Sequence, residues 1–270
     1  MKMRFALILI AACAACTSAT PAFAGRRCDT TKPTVTVIER GMALAQRTAA
    51  ALDAANAQDG TRVVLLARAG QDLTKYGQQW SHLGWAYKTP EGPWRVVHKL
   101  NHCGTDRAVL MRQGLGEFFL DDLWRYQTAW VAPPRALQDQ LLPVLQSNQR
   151  ARTLHQPRYS LVSYAWGTRY QQSNQWAIET LALAADPAVQ RREQAQAWLR
   201  LKGYHPAMLR IGALTRLGGQ IGAANVAFDD HPPAQRFTDR IETVTADSVL
   251  AWMQRQQPGA PMQRLALPSP

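Results

Sequence analysis

Three polar side chains have the types and positions that suit acyl transfer: His82, His98 and Ser173. The two histidines lie in neighbouring strand-like runs, and antiparallel pairing of such runs brings side chains to about 5 Å between Cβ atoms. Ser173 stands immediately before a run with helical spacing, where the helix dipole and its free N–H groups favour developing negative charge. A serine nucleophile, a histidine base and a second histidine that orients the base follow the logic of a catalytic triad.

These residues also have structural interpretations. Serine is a preferred N-cap, worth about 1 kcal/mol to a helix with no chemistry implied. Metal chemistry has weaker support, because His102 beside Cys103 fits a loop next to a disulfide, and no CxxC pair follows residue 24. The acidic and histidine run at 229–231 has metal-type side chains, but the prolines after it indicate a solvated turn. The sequence therefore predicts no metal and no cofactor.

The elements that must position the candidate residues follow from the spacing of apolar side chains. Residues 101–122 are expected to be loop-rich, residues 159–166 are compatible with extended chain, and Pro143 is expected to end or kink its helix. The class is therefore α+β, with a small antiparallel sheet packed with helices. Helices are predicted at residues 42–58, 174–185 and 188–201, and a further helix is predicted to begin at about residue 135. The predicted strands cover residues 61–67, 81–87, 94–100 and 124–131.

The N-terminus has the features of a secretory signal peptide. Lys2 and Arg4 precede an apolar stretch at 5–15, and a small-x-small motif at 22–24 predicts cleavage after Ala24. A lipidated Cys13 is the alternative processing route. No later segment is long and apolar enough to predict a membrane span. We therefore expect a periplasmic or secreted protein with a signal peptide at 1–24, a single domain at 25–256 and a flexible tail at 257–270.

Cleavage after Ala24 leaves Cys28 and Cys103 as the cysteines of the exported chain. In an oxidising compartment the default expectation is a disulfide, which would close a long loop and stabilise the fold by about 4 kcal/mol. Two unpaired thiols are the alternative. The formal charge is +12, mostly from scattered arginine, which favours anionic envelope material such as lipid headgroups or wall polymers over nucleic acid.

Two sequence segments resemble a known superfamily. SHLGW at 81–85 resembles the SHxG strand of the circularly permuted branch of the papain-like, NlpC-type amidases. YQQSNQW at 170–176 resembles the nucleophile segment of that branch, with Ser173 at the position of the cysteine. Across most of the exported chain, SHLGWAY, WRVVHKLNHCGT, GLGEFFLDDL and NVAFDDHP are also similar to an uncharacterised exported bacterial family, domain of unknown function 2145.

The superfamily resemblance implies a permuted papain-like architecture with Ser173 as nucleophile, His82 as base and His98 as the residue that orients it. It implies a wall peptide or a lipid-linked acyl group as the envelope ligand, cleaved at an amide or ester bond. The alternative is a non-catalytic module that binds a peptide, glycan or lipid, because serine replaces the usual thiol. Aromatic residues that flank the candidate triad are predicted to contact the ligand: Trp85, Tyr170 and Trp176.

Overall fold

The computed structural model describes residues 32–89, 92–121, 123–259 and 261–268 of the chain. The predicted signal peptide, Cys13 and Cys28 lie outside the described residues. A six-stranded antiparallel sheet with the order β4-β3-β2-β1-β5-β8 is the centre of the fold. Its strands are β1 (Val63–Ala69), β2 (His82–Tyr87), β3 (Arg95–Asn101), β4 (Ala108–Gly114), β5 (Arg125–Val131) and β8 (Gln263–Ala266).

The central strand β1 is buried on both faces of the sheet. Its sequence VVLLARA has no exposed position, as expected for a strand covered by helices on both sides. Val63 and Leu65 point into the larger core, whereas Val64 and Leu66 point into the second core on the opposite face. The strand therefore forms the middle layer of a three-layer arrangement.

Helices α1 (Val35–Asp59) and α2 (Leu115–Phe119) cover the second face. The side chain of Thr34 caps α1 by accepting a hydrogen bond from the Val37 N–H. The helix ends at Gly60, whose φ of 72° is the left-handed conformation that glycine adopts without strain. Phe118 and Phe119 of α2 pack with α1 in this core.

The larger core lies between the first face of the sheet and three helices: α3 (Arg135–Gln146), α5 (Ser173–Ala185) and α9 (Ala246–Gln256). Helix α5 is central, and Trp176, Ile178 and Leu181 are almost completely buried. The short helix α4 (Asn148–Ala151) follows α3, and α6 (Arg192–Leu201) packs beside α5.

A smaller unit follows α6. Its two-stranded sheet pairs β6 (Ala207–Arg210) with β7 (Arg240–Thr243), and α7 (Ala213–Gly222) and α8 (Pro233–Arg236) lie between these strands in sequence. Ile211, Val226, Phe228 and Ile241 form its own small core.

The α+β class and the β2–β3 hairpin are confirmed. The loop-rich prediction for 101–122 is wrong, because β4 and α2 lie there. Helix α1 begins before the predicted residue 42, α6 begins after 188, and α3 continues through Pro143 to Gln146. Residues 159–166 form turns, and 263–266 of the predicted flexible tail pair with β5. Among the described residues, no helix is both long and apolar enough to span a membrane.

Candidate active site

The candidate residues His82 and Ser173 line one cleft of about 890 Å³. Arg68, Asp121 and Tyr159 line the same cleft. Part of the lining is apolar and comes from the small β6–β7 unit. These apolar residues are Leu209, Ile211, Val226 and Phe228.

The N-terminus of α5 fills a gap between β2 and β3. The pairing of these strands extends from Tyr87 and Arg95 to Trp85 and Val97, after which the strands separate. If the pairing continued, Leu83 would lie opposite Lys99. Instead, the Leu83 N–H donates to Asn174 Oδ1 at 3.0 Å, and the Lys99 carbonyl accepts from Ser173 Oγ at 2.8 Å.

These two bonds replace ladder hydrogen bonds that the separated strands do not make with each other, so the backbone groups stay satisfied. They also fix the start of α5 beside the first residue of β2, which is His82. The imidazole of His82 lies on the α2 face of the sheet, where it packs 6.0 Å from the Phe118 ring. Helix α5 packs on the opposite face, and Ser173 reaches the cleft at the gap between the strands.

The two histidines form a hydrogen-bonded relay with a glutamine. His82 Nε2 lies 2.8 Å from His98 Nδ1, and His98 Nε2 lies 2.7 Å from Gln113 Oε1. The ring centroids of the histidines are 5.1 Å apart with an interplanar angle of 81°. Register places Gln113 opposite Val96, so its side chain is on the same face of the sheet as His98.

The relay sets the tautomer of both rings. A glutamine Oε1 is an acceptor, so His98 donates its Nε2–H to Gln113 and keeps Nδ1 as an acceptor. His82 then donates its Nε2–H to His98, which leaves His82 Nδ1 with a lone pair. A neutral imidazole whose second nitrogen is fixed by a partner is the arrangement of a general base.

Burial and a nearby cation keep both rings neutral. Burial, followed by the charges of Arg68 and His98, lowers the pKa of His82 well below its usual value of 6.5. Burial and Arg68 lower the pKa of His98 to about 4, against a smaller opposing effect of Gln113 and Asp121. Arg68 lies directly opposite His82 in the β1–β2 register, forms an ion pair with Asp121 and stacks over Phe118 at 4.8 Å.

Ser173 is the first residue of α5 and not its N-cap. Gln172 is the cap, and its Oε1 accepts from the Asn174 N–H at 2.9 Å. Ser173 is 5 % exposed, and its Oγ donates to the Lys99 carbonyl. The structure thus brings Ser173, His82 and His98 to one region without a hydrogen bond between Ser173 and His82 among the described contacts.

A buried charge network holds the segment that leads into α5. Lys99 Nζ donates to Gln171 Oε1 at 2.8 Å, and Gln171 Nε2 donates to Glu179 Oε2 at 2.5 Å. Arg192 forms an ion pair with Glu179 at 2.7 Å and also donates to the Tyr170 carbonyl at 3.0 Å. Burial is the main reason that the pKa of Lys99 lies well below 10.5. The network fixes the approach to Ser173.

The aromatic residues predicted to contact a ligand lie elsewhere. Trp85 and Trp176 are fully buried, and their indole N–H groups donate to the carbonyls of Ala177 and Ala151 at 2.9 and 3.2 Å. The ring of Tyr170, which is 5 % exposed, packs against Arg158 and Arg169. None of the three lines the cleft described above, because the core and these arginines cover them. Its aromatic lining consists instead of Tyr76, Trp80, Trp124, Tyr159 and Phe228.

The acidic and histidine run at 229–231 is not a solvated turn, because Asp230 and His231 are buried and hydrogen-bonded to the backbone. Asp230 Oδ2 accepts from the Tyr164 N–H at 2.9 Å, and His231 Nε2 lies 2.8 Å from the Val162 carbonyl. Both side chains are almost completely buried. Cys103 lies in the exposed turn after β3, and because Cys28 lies outside the described residues, the predicted disulfide stays a prediction.

Sequence reasoning missed Gln113 and the Arg68–Asp121 pair. Gln113 lies on β4, whose apolar run at 108–111 was available as a strand signal. Arg68 is the next-to-last residue of the buried strand β1, where a single charged residue could have indicated a partner for the histidine on the next strand.

Comparison with known proteins identifies one family. The model of a family described as an uncharacterised protein conserved in bacteria, domain of unknown function 2145, matches residues 55–253. That range contains the whole relay and Ser173. No match to the chain was found among curated proteins or among solved structures.

Proposed function

This chain belongs to a family of uncharacterised proteins conserved in bacteria, and we propose that it is an exported hydrolase of amide or ester bonds in the cell envelope. The observation that carries the proposal is the relay from Gln113 through His98 to His82. It leaves His82 Nδ1 as a hydrogen-bond acceptor, and both His82 and Ser173 line the cleft. Buried polar groups of this kind, next to a cleft and with shifted pKa values, are candidates for catalysis.

In the proposed mechanism, the hydroxyl of Ser173 turns from the Lys99 carbonyl to His82. His82 Nδ1 takes the proton while Oγ attacks the carbonyl carbon of the substrate, and the N–H of Ser173 at the start of α5 stabilises the oxyanion. His82 then returns the proton to the leaving amine or alcohol, whose bond to the carbonyl carbon breaks. Water, activated by His82, hydrolyses the acyl-enzyme and restores Ser173.

The order of elements supports a permuted papain-like scaffold as part of this proposal. A strand that begins with the histidine comes first, the next strand carries the second polar residue, and the helix of the nucleophile comes last. Residues 1–24 would direct export, with a lipidated Cys13 as the variant, so the substrate would be a wall peptide or a lipid-linked acyl group. Fold analogy alone does not choose between these substrates.

The test is labelling of the exported chain from Gly25 with a fluorophosphonate probe, followed by peptide mapping. We expect one adduct at Ser173, strongly reduced in His82→Ala and absent in Ser173→Ala. Ser147→Ala is the matched control, because Ser147 also stands at a helix start but caps α4 outside the cleft. An adduct that persists in His82→Ala at the wild-type rate would contradict the role of the relay.

A second candidate, the non-catalytic binding module, is favoured by one contact. The hydroxyl hydrogen of Ser173 is engaged by the Lys99 carbonyl at 2.8 Å, so the residue has a complete structural role in closing the gap between β2 and β3. On this alternative the cleft holds an envelope ligand without cleaving it. No adduct at Ser173, together with saturable binding of muramyl dipeptide or palmitate measured by tryptophan fluorescence, would favour the module over the hydrolase.

A further inference from the structure

Helix α7 exposes a stripe of apolar side chains to solvent. Leu214, Leu217 and Ile221 are 86, 54 and 79 % exposed, and their spacing of three and four places them on one side of the helix. Arg216 and Gly219 occupy the buried side. A surface helix of a globular protein normally has the opposite arrangement. The exposed stripe is therefore a face that the described fold does not cover.

Further exposed apolar side chains come from the elements around α7. Phe237, directly after α8, is 79 % exposed, and Met208 on β6 is 51 % exposed. Arg216 joins the two helices, because its Nη1 donates to the carbonyls of Gln235 and Arg236 at 3.2 and 2.9 Å. We call the five exposed apolar residues of this unit the α7 surface: Met208, Leu214, Leu217, Ile221 and Phe237.

The unit that carries the α7 surface also exposes three arginines. Arg210 and Arg240 lie directly opposite each other in the β6–β7 pair, and both are exposed, as is Arg236. Like charges at opposite positions destabilise a sheet unless an anion lies near them. No acidic residue occurs in the sequence at 194–228, and Asp239 and Glu242 are the acidic residues on or next to β7.

We propose that the α7 surface docks the protein on an anionic lipid bilayer, with its aliphatic stripe at the acyl boundary and the three arginines on lipid phosphates. An exposed apolar stripe in a unit that also exposes three arginines matches the interface of such a bilayer. A two-fold dimer through the same face would bring these arginines toward their own copies, which disfavours self-association. Thr215 and Gly219 of α7 line the cleft, so docking brings the cleft to the membrane.

The test is co-sedimentation of the exported chain from Gly25 with vesicles of phosphatidylcholine alone or mixed equally with phosphatidylglycerol. We expect binding to the mixed vesicles that weakens with salt. Replacing the arginines, as Arg210→Gln, Arg236→Gln and Arg240→Gln together, should weaken it on the order of a hundredfold, since each cation near an anionic surface contributes about a factor of five.

The apolar variant is Leu214→Ser, Leu217→Ser and Ile221→Ser together, and it should weaken binding to mixed vesicles by a similar factor, on the order of a hundredfold. Its matched control replaces three exposed apolar residues outside the unit, as Val35→Ser, Ile38→Ser and Met111→Ser, and should bind as wild type does. Near-ultraviolet circular dichroism verifies that each variant is folded.

Two results would overturn the proposal. One is equal binding by the wild type and the apolar variant. The other is a wild-type dimer in sedimentation velocity that is lost in the apolar variant, together with no vesicle binding by either protein. The α7 surface would then be an interface between copies of the chain. Labelling at Ser173 tests the hydrolase separately, and neither outcome depends on the other.

Discussion

Replacing His98 with glutamine should reduce the acid sensitivity of the fold. Its pKa is about 4 in the folded chain and 6.5 in the reference state, so between these values the unfolded chain binds a proton that the folded chain does not. The contribution of the neutral His98 to the free energy of unfolding is fully present above pH 6.5 and is lost as the pH falls toward 4. The loss amounts to about 3 kcal/mol at 1.36 kcal/mol per pKa unit. In His98→Gln this part of the pH dependence should vanish.

The assay is urea unfolding of wild type and His98→Gln at neutral pH and near pH 4, with the change in unfolding free energy compared between them. Glutamine has donor and acceptor groups that can replace the imidazole between His82 and Gln113. Met111→Gln is the matched control, because residue 111 lies opposite His98 on β4 and neither methionine nor glutamine binds a proton. Equal pH dependence in wild type and His98→Gln would refute the assignment of a buried, neutral His98.

Three further expectations concern the packing and charge around the site. Gly84→Ala places a Cβ 2.5 Å from Val96 Cγ1, so urea unfolding should reveal a loss of about 1–3 kcal/mol; an unchanged midpoint would contradict this contact. Glu179→Gln leaves Arg192 without its buried carboxylate and should cost about 3–5 kcal/mol by the same assay. Because the pKa of His82 is well below 6.5, fluorophosphonate labelling should keep its neutral-pH rate at pH 6.5; a rate halved there indicates an ordinary histidine.

Local sequence signals were sufficient for the central strands and the main helices. The VVLL run of β1, the Pro-Gly connector between β2 and β3 and the spacing of α5 each identify an element through contacts that are short in sequence. The hairpin places His82 and His98 on the same face of neighbouring strands. This is why the histidine pair was predictable from the sequence.

The remaining features depend on contacts between distant parts of the chain. Gln113 reaches His98 only through the β3–β4 register, and the bond from Ser173 to the Lys99 carbonyl spans 74 positions. Trp85 and Trp176 flank the site in sequence, but alternation along β2 and the turn of α5 direct them into the larger core. Spacing along one segment does not report which side of a sheet a distant helix will cover.

The proposed hydrolase requires that His82 serves as the base for residue 173. Its most direct test is the alkylation rate of Ser173→Cys by iodoacetamide at mildly acidic pH, resolved at residue 173 by peptide mapping. We expect residue 173 to be alkylated faster than a free cysteine, because a histidine and a helix N-terminus stabilise a thiolate. His82→Ala should lower the rate markedly, toward that of free cysteine, because only the helix N-terminus then remains. The same slow rate in both variants would contradict the claim.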